Sequence, residues 1–421
     1  MFYKFAPRFS ILFFLTISLS IINVRGADTL RVESPSGRIK VKVWMGKLLA
    51  YTVSFDDRII VEPSFIDLKL DNNRSLSGSN AIRSGSVKKH DEVIISPVPE
   101  KRKLIPDRYN DLNISFRQPY KVEFRVYDDG LAYRVSTAFK DSVTVIDEVA
   151  EFVFPDDPSA YFPEIPGNGD PKQDLFHCSW EDVYTYKKLS ELALTSLTYS
   201  PLLIVPASGP KLAITESDLE DYPGMFLKGT GTSKMKGVFA GFAIEEKINR
   251  GLYSNVKVSK RAAFIARTKG TRTYPWRVIV VSEHDKDLPA NDIVYRLASP
   301  SRVKDVSWVD PGNLTEEWII DLNIYNVPFK AGRNTATYKY YIDFASRFGI
   351  KYVMMDAGWS DNDDLLKVVP EISMDTLIAY AKSKKVKIAM WTLALTLDRQ
   401  LDSALAQFNK WGVDFIMTDF I

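Results

Sequence analysis

The sequence predicts a two-part chain, multidomain β plus α/β, in which a large two-sheet β-sandwich precedes the opening strands of a (β/α)8 TIM-type barrel. Three observations predict it. From Ala27 to about Arg296, short segments alternate apolar and polar residues with period two between frequent turn signals. After Ala298-Ser299-Pro300-Ser301 the pattern changes to continuous apolar runs separated by helix-period segments. Two of those runs, at Asp356 and Asp419, end in an acid.

In chain order, the N-terminus reads first as a leader. Met1 to Phe9 holds Lys4 and Arg8 and no acid, and Ser10 to Val24 is uncharged and mostly apolar. That run, about fifteen residues, is short for a membrane span. Val24-Arg25-Gly26 then offers a cleavage site before Ala27, so residues 1–26 read as a secretory signal peptide. An uncleaved anchor helix is the alternative. The mature protein is expected in the periplasm or outside the cell, with no membrane span after cleavage. Removing the leader's three bases leaves 52 bases against 53 acids, a balance that recruits neither nucleic acid nor an anionic membrane. Cys178 is the only cysteine, so no internal disulfide forms, and a packing role is expected for it over a catalytic thiol.

Within 27–300, Leu30–Val32, Ile39–Trp44, Lys121–Tyr127 and Ala132–Val135 alternate as half-buried antiparallel strands do. Ser34-Pro35-Ser36-Gly37, Asp71-Asn72-Asn73 and Asp128-Asp129-Gly130 mark turns between them. The block is too long for one sandwich of roughly 100 residues, hence the larger two-sheet version.

Within 301–421, Lys351–Asp356, Lys387–Trp391 and Val413–Asp419 read as buried strands. Helical faces lie between them: Tyr338, Tyr341, Ile342, Ala345 and Phe348; Met374, Leu377, Ile378 and Ala381; Leu401, Ala404, Leu405 and Phe408. Apolar strands covered by helices make a parallel sheet. A doubly wound sheet fits the pattern too; the barrel is preferred because acids stand at several strand ends. About four βα units fit before Ile421, where a closed barrel needs eight, so the chain is expected to be an incomplete barrel and an inactive fragment of a longer enzyme.

Asp419 stands at the last position of a buried strand. A carboxylate there suits a nucleophile, a base, a metal ligand or a hydroxyl acceptor, and equally a cap for the next helix. Asp356 holds the matching place on an earlier strand, and Gly358 aims Trp359 beside it. Acid and aromatic together suit a sugar, with hydroxyls to the carboxylate and the C–H face to the ring; a buried loop tryptophan is the plainer reading. Glu181 and Glu216 lie in the sandwich block, where carboxylates suit calcium, although most such residues are surface charges. With three histidines and no GxGxxG, Walker A, HExxH, GxSxG or paired CxxC sequence, carboxylate chemistry remains, and cleavage of a glycosidic bond is a common form of it.

The stretch Val327-Pro328-Phe329-Lys330-Ala331-Gly332-Arg333-Asn334-Thr335-Ala336-Thr337-Tyr338-Lys339-Tyr340-Tyr341-Ile342-Asp343-Phe344 resembles the start of the barrel in glycoside hydrolase family 97. Tyr352–Asp361 resembles that family's second barrel strand, and Thr215–Met225 and Tyr274–Val281 its sandwich domain. The resemblance implies a β-super-sandwich, a catalytic barrel and a C-terminal β-domain, with an active-site Ca2+. It implies α-glucosidase or α-galactosidase activity on an oligosaccharide or α-glycoside substrate. By this resemblance Asp419 matches the nucleophile of retaining members and Glu181 a calcium ligand. Asp356, Trp359, Glu216 and Trp318 become substrate-binding candidates, and the acid/base Glu falls beyond residue 421. Two departures stand out: Met417 where the family often has Lys, and Glu316-Glu317-Trp318-Ile319 where a Trp-Asp-Trp-Trp-like stretch is usual. A retaining α-galactosidase, monomeric, is the expected reading. An inverting α-glucosidase and a non-catalytic carbohydrate-binding remnant are the alternatives.

Overall fold

The computed structural model of the chain describes residues 20–22, 29–79, 82–98, 101–167, 170, 173–179, 181, 183–413 and 415–421. The expected leader 1–26 lies outside these apart from Ser20–Ile22, a short strand beside Ile82–Ile95. Two compact units emerge, one of Met1–Phe242 with Ala262–Lys304, the other of Ala243–Arg261 with Asp305–Ile421.

The first unit is built of antiparallel ladders, as its period-two sequence requires. Leu30–Glu33, Ile39–Met45, Leu49–Phe55, Arg58–Leu70 and Val143–Val153 pair in that order. A second series runs through Ile82–Ile95, Leu104–Phe116, Tyr120–Tyr127, Gly130–Ala138, Trp276–Ser282 and Lys211–Ser217. Inward residues of both series meet in one core, Val41, Val53 and Ile66 from the first with Leu112, Val122 and Tyr133 from the second. Gly130 is required where it stands: its φ is +153°, and a Cβ there would lie 2.6 Å from the Ile279 carbonyl oxygen.

The second unit holds a parallel sheet of four strands, β1 (Leu314–Thr315), β2 (Tyr352–Met355), β3 (Lys387–Leu393) and β4 (Phe415–Asp419). Each pairs in parallel with the next in chain order. The helices are α1 (Thr335–Phe348), α2 (Met374–Ser383), α3 (Ala394–Arg399) and α4 (Leu401–Trp411). Asn334 caps α1 by accepting the Thr337 N–H at 3.0 Å, and Gly349 ends it with φ +71°.

The two central strands, β2 and β3, are buried on both faces, which is why they read as unbroken apolar runs; β4, expected to be a buried strand, is instead largely exposed, as an edge strand with one neighbour is. Val353, Met355, Ile388 and Met390 pack against Ile342, Leu377 and Phe408 of the helices. Tyr352, Met354, Ala389, Trp391 and Leu393 form a separate cluster on the alternate side, with Tyr253 packed against it. Phe348, Leu401 and Leu405, expected on buried helical faces, are exposed instead. Tyr253 lies in the turn of a hairpin, Ala243–Asn249 with Asn255–Arg261. That hairpin falls inside the sequence block 27–300 yet belongs to the second unit. Among the described residues no helix is long and apolar enough to cross a membrane.

Candidate active site

A parallel sheet aligns the C-terminal ends of its strands along one edge, and here that edge carries the acids. Glu316 and Glu317 follow β1, Asp356 follows β2, and Asp419 closes β4 beside Leu393 of β3.

Glu317 is buried, with 1% of its surface exposed. Its Oε1 accepts the Tyr338 hydroxyl at 3.1 Å and the Asp356 backbone N–H at 2.9 Å, while Oε2 is buried without a partner. Burial raises the Glu317 carboxyl above its ordinary range. Glu316, half-buried, accepts the Trp318 N–H at 3.3 Å. Its pKa is raised to about 7 by burial, by the negative charge of Asp356 and by a hydrogen bond between the two carboxyls. The charge of Asp356 beside it makes ionising Glu316 costly, so Glu316 keeps its proton to a higher pH than a free carboxyl. Asp356 also receives the Ala357 N–H at 2.5 Å.

Asp419 is exposed, and both its oxygens are engaged. Oδ2 accepts the Trp391 indole N–H at 3.3 Å, and Oδ1 accepts the Phe420 N–H at 2.7 Å. Phe420 adopts φ +56°, rare for a bulky side chain.

Trp359 corrects an expectation. It is fully buried, its indole N–H donates to the Trp391 carbonyl at 2.8 Å, and it packs edge-on against Phe408 and Trp411. A ring with no exposed face cannot stack on a sugar, so Trp359 is a packing residue. Trp318 is the reverse, 61% exposed on a short 3-10 turn beside Glu317.

Glu216 and Glu181 belong to the first unit. Glu216 meets needs internal to the sheets: Oε2 accepts Arg277 at 2.6 Å and Oε1 accepts the Met225 N–H at 2.9 Å. Arg277, 1% exposed, also holds Glu148 through two bonds of 2.7 and 2.9 Å. Both oxygens of Glu216 thus serve this network within the sheets. Glu181 is exposed, and its neighbours Trp180 and Asp182 lie outside the described residues. Among the described residues no group of three or more His, Cys, Asp or Glu side chains is placed to hold a metal ion.

Sequence patterning missed Glu317, Tyr338 and Trp391 as site residues. The first follows a strand of two residues, too short for any periodicity to register. An adjacent Glu-Glu pair just after Leu314-Thr315 was the available signal.

The sequence matches Glycosyl-hydrolase 97 N-terminal over residues 32–300 and Glycoside hydrolase 97 over residues 317–421. A retaining alpha-galactosidase of Bacteroides thetaiotaomicron is 36% identical over 417 residues, covering 97% of this chain and 62% of that protein. A probable retaining alpha-galactosidase of Streptomyces bingchenggensis is 24% identical over 403 residues, 92% of this chain and 56% of that protein. The chain thus spans less than two thirds of the length of these curated relatives. A Glycoside Hydrolase Family 97 enzyme from Pseudoalteromonas sp. strain K8, solved with acarbose, shares the fold with a TM-score of 0.77 at 23% identity, over 93% of this chain and 59% of that one. A beta-arabinopyranosidase shares it with a TM-score of 0.73 at 21% identity, over 93% of this chain and 62% of that one. Matched in both halves and over most of its length, the chain belongs to glycoside hydrolase family 97.

Proposed function

We propose that the protein is an exported glycoside hydrolase that cleaves terminal α-galactosides with retention, using Asp419 as nucleophile. One observation carries this reading: Asp419 is an exposed carboxylate at the end of the fourth parallel strand, on the sheet edge where barrel enzymes collect their catalytic groups. The 36% identity to a protein named a retaining alpha-galactosidase supports it. The four strands in chain order support completion as a (β/α)8 barrel, since a doubly wound sheet reverses strand order at its switch point.

In this reading an Asp419 oxygen attacks the anomeric carbon as the bond to the leaving oxygen breaks. A second carboxyl, about 5–5.5 Å from the first, protonates that oxygen. The same group then takes a proton from water, whose oxygen displaces Asp419 and restores the α configuration. The adjacent carboxyls of Glu316 and Asp356 offer hydrogen-bonding groups to a sugar hydroxyl. Trp318 offers an exposed ring to its C–H face. Calcium is proposed with Glu181 among its ligands; turnover and thermal stability unchanged by a chelator would remove it from the reading. Residues 1–26 are proposed as the export leader.

Proton NMR of the sugar first released from an aryl α-galactoside tests retention. The α-anomer is expected, and initial release of the β-anomer would overturn it.

A further inference from the structure

We infer that Tyr253, at the turn of the hairpin Ala243–Asn249 and Asn255–Arg261, is a positioning residue for Asp419: its ring fixes Trp391 and Phe420, the two residues that hold the carboxylate. The inference rests on the reading of Asp419 as nucleophile.

Three rings close on one another. Tyr253 stacks on Phe420 with centroids 4.8 Å apart and planes 21° apart. It meets Trp391 at 5.7 Å and 64°. Trp391 meets Phe420 edge-on at 6.4 Å. Each partner of Tyr253 grips a different oxygen of Asp419, Trp391 through its indole N–H to Oδ2 and Phe420 through its backbone N–H to Oδ1.

Neither grip is self-sufficient. At 3.3 Å the indole bond is at the long end of the range, so a small rotation of the Trp391 ring breaks it. The Phe420 bond depends on a left-handed backbone at φ +56°, a conformation that persists only when surrounding structure enforces it. Tyr253 touches both weak points, stacked on Phe420 and crossing Trp391.

The hairpin turn is itself anchored to the second unit. Asn362 donates its side-chain N–H to the Leu252 carbonyl at 2.7 Å, and the Asn362 carbonyl accepts the Thr396 hydroxyl at 2.5 Å. Ser254, buried, closes the turn by donating to the Gly251 carbonyl at 3.3 Å. Asn362 lies between β2 and β3 and Thr396 in α3 just after β3, so the turn is tied through Asn362 to the segments that flank β3, the neighbour of the Asp419 strand. A nucleophile displaced by about 1 Å can lose on the order of 10²-fold in rate, so an orienting contact of this kind acts on turnover more than on binding.

The test compares Tyr253→Phe, Tyr253→Ala and Asn362→Ala in the native protein, with kcat and KM on an aryl α-galactoside. Tyr253→Phe keeps the ring and should match wild type. Tyr253→Ala should lower kcat roughly 10- to 100-fold while KM stays within about two-fold. Asn362→Ala, which loosens the turn without altering a ring, should give a smaller kcat loss of the same kind. Wild-type kcat in Tyr253→Ala overturns the inference, as does a rise in KM at constant kcat, which would make Tyr253 a substrate contact. Should Tyr253→Ala fail to fold, Tyr253→Leu and Asn362→Ala decide by the same kcat criterion. Asp419→Ala, assayed with and without azide, separates the two ideas. Undiminished activity in it overturns the nucleophile reading; a dead, azide-rescued Asp419→Ala beside a fully active Tyr253→Ala overturns only the positioning role.

Discussion

The carboxylate of Glu317 accepts the backbone N–H of Asp356 at 2.9 Å, joining the ends of two neighbouring parallel strands by a side chain. The strand that precedes Glu317 has two residues, so few ladder bonds fix its end. Glu317 serves as an additional rung, and Tyr338 of α1 steadies it from the helix side. Glu317→Ala strands two buried donors, the Asp356 N–H and the Tyr338 hydroxyl, and should destabilise the protein by about 1–3 kcal/mol for each. Glu317→Gln keeps an amide oxygen for both and should cost less than half as much. Chemical denaturation of the two variants checks the order; equal losses would refute the rung.

Stability should depend on Glu316 in a defined pH window. Its carboxyl is raised from 4.5 to about 7 in the folded protein by burial and by Asp356. A raised acid binds its proton more tightly folded than unfolded, so its contribution is complete below pH 4.5 and is lost as pH rises through about 7. Solvent reaches this half-buried group and reduces the size of the effect. Glu316→Gln should therefore lose less stability than wild type between pH 4.5 and 7. Parallel melting curves across that window would argue against a raised Glu316 carboxyl.

What was legible in the sequence followed from how many residues repeated a pattern. Lys121–Tyr127 alternates over seven positions, and the observed strand Tyr120–Tyr127 contains it. Tyr338, Ile342 and Ala345 repeat at helix spacing, and α1 buries all three. Asp419 and Asp356 were visible as acids ending apolar runs, and both stand at strand ends. Side-chain direction was not legible: Trp359 follows Asp356 by three residues, but whether a loop tryptophan turns toward solvent or core depends on helices that close over it, here through Phe408 and Trp411. Nor was Tyr253, since nothing local records that a hairpin in the first sequence block packs with the second unit.

Trp359 should behave as core. Trp359→Ala removes a fully buried indole and should cost about 3–5 kcal/mol. Trp359→Phe keeps most of the volume but leaves the Trp391 carbonyl without its 2.8 Å donor, about 1–3 kcal/mol. Because Trp391 in turn donates to Asp419, kcat should fall modestly in Trp359→Phe with KM unchanged. A raised KM with unaltered stability would restore the sugar-stacking role.

Arg277 is the centre of the first unit's buried charge network, and its removal should be the most damaging single change there. It is 1% exposed and pairs with Glu148 and Glu216 at 2.7 and 2.6 Å, while Tyr222 donates to Glu148 at 2.9 Å. Burial alone would push the Glu216 carboxyl toward its neutral form, and it does raise it; the Arg277 charge opposes that. Without the guanidinium, two acids are left in a low-dielectric site with no cation, so Arg277→Met should cost about 3–5 kcal/mol despite its similar length. Glu216→Gln is milder. The amide oxygen can accept from Arg277 or from the Met225 N–H but not both, since its NH2 faces the remaining donor, a loss of about 1–3 kcal/mol. Both losses should appear in urea unfolding monitored by tryptophan fluorescence, and KM for an α-galactoside should stay unchanged in Glu216→Gln. If that variant instead unfolds like wild type and binds substrate more weakly, Glu216 is a binding residue and the buried network does not hold it.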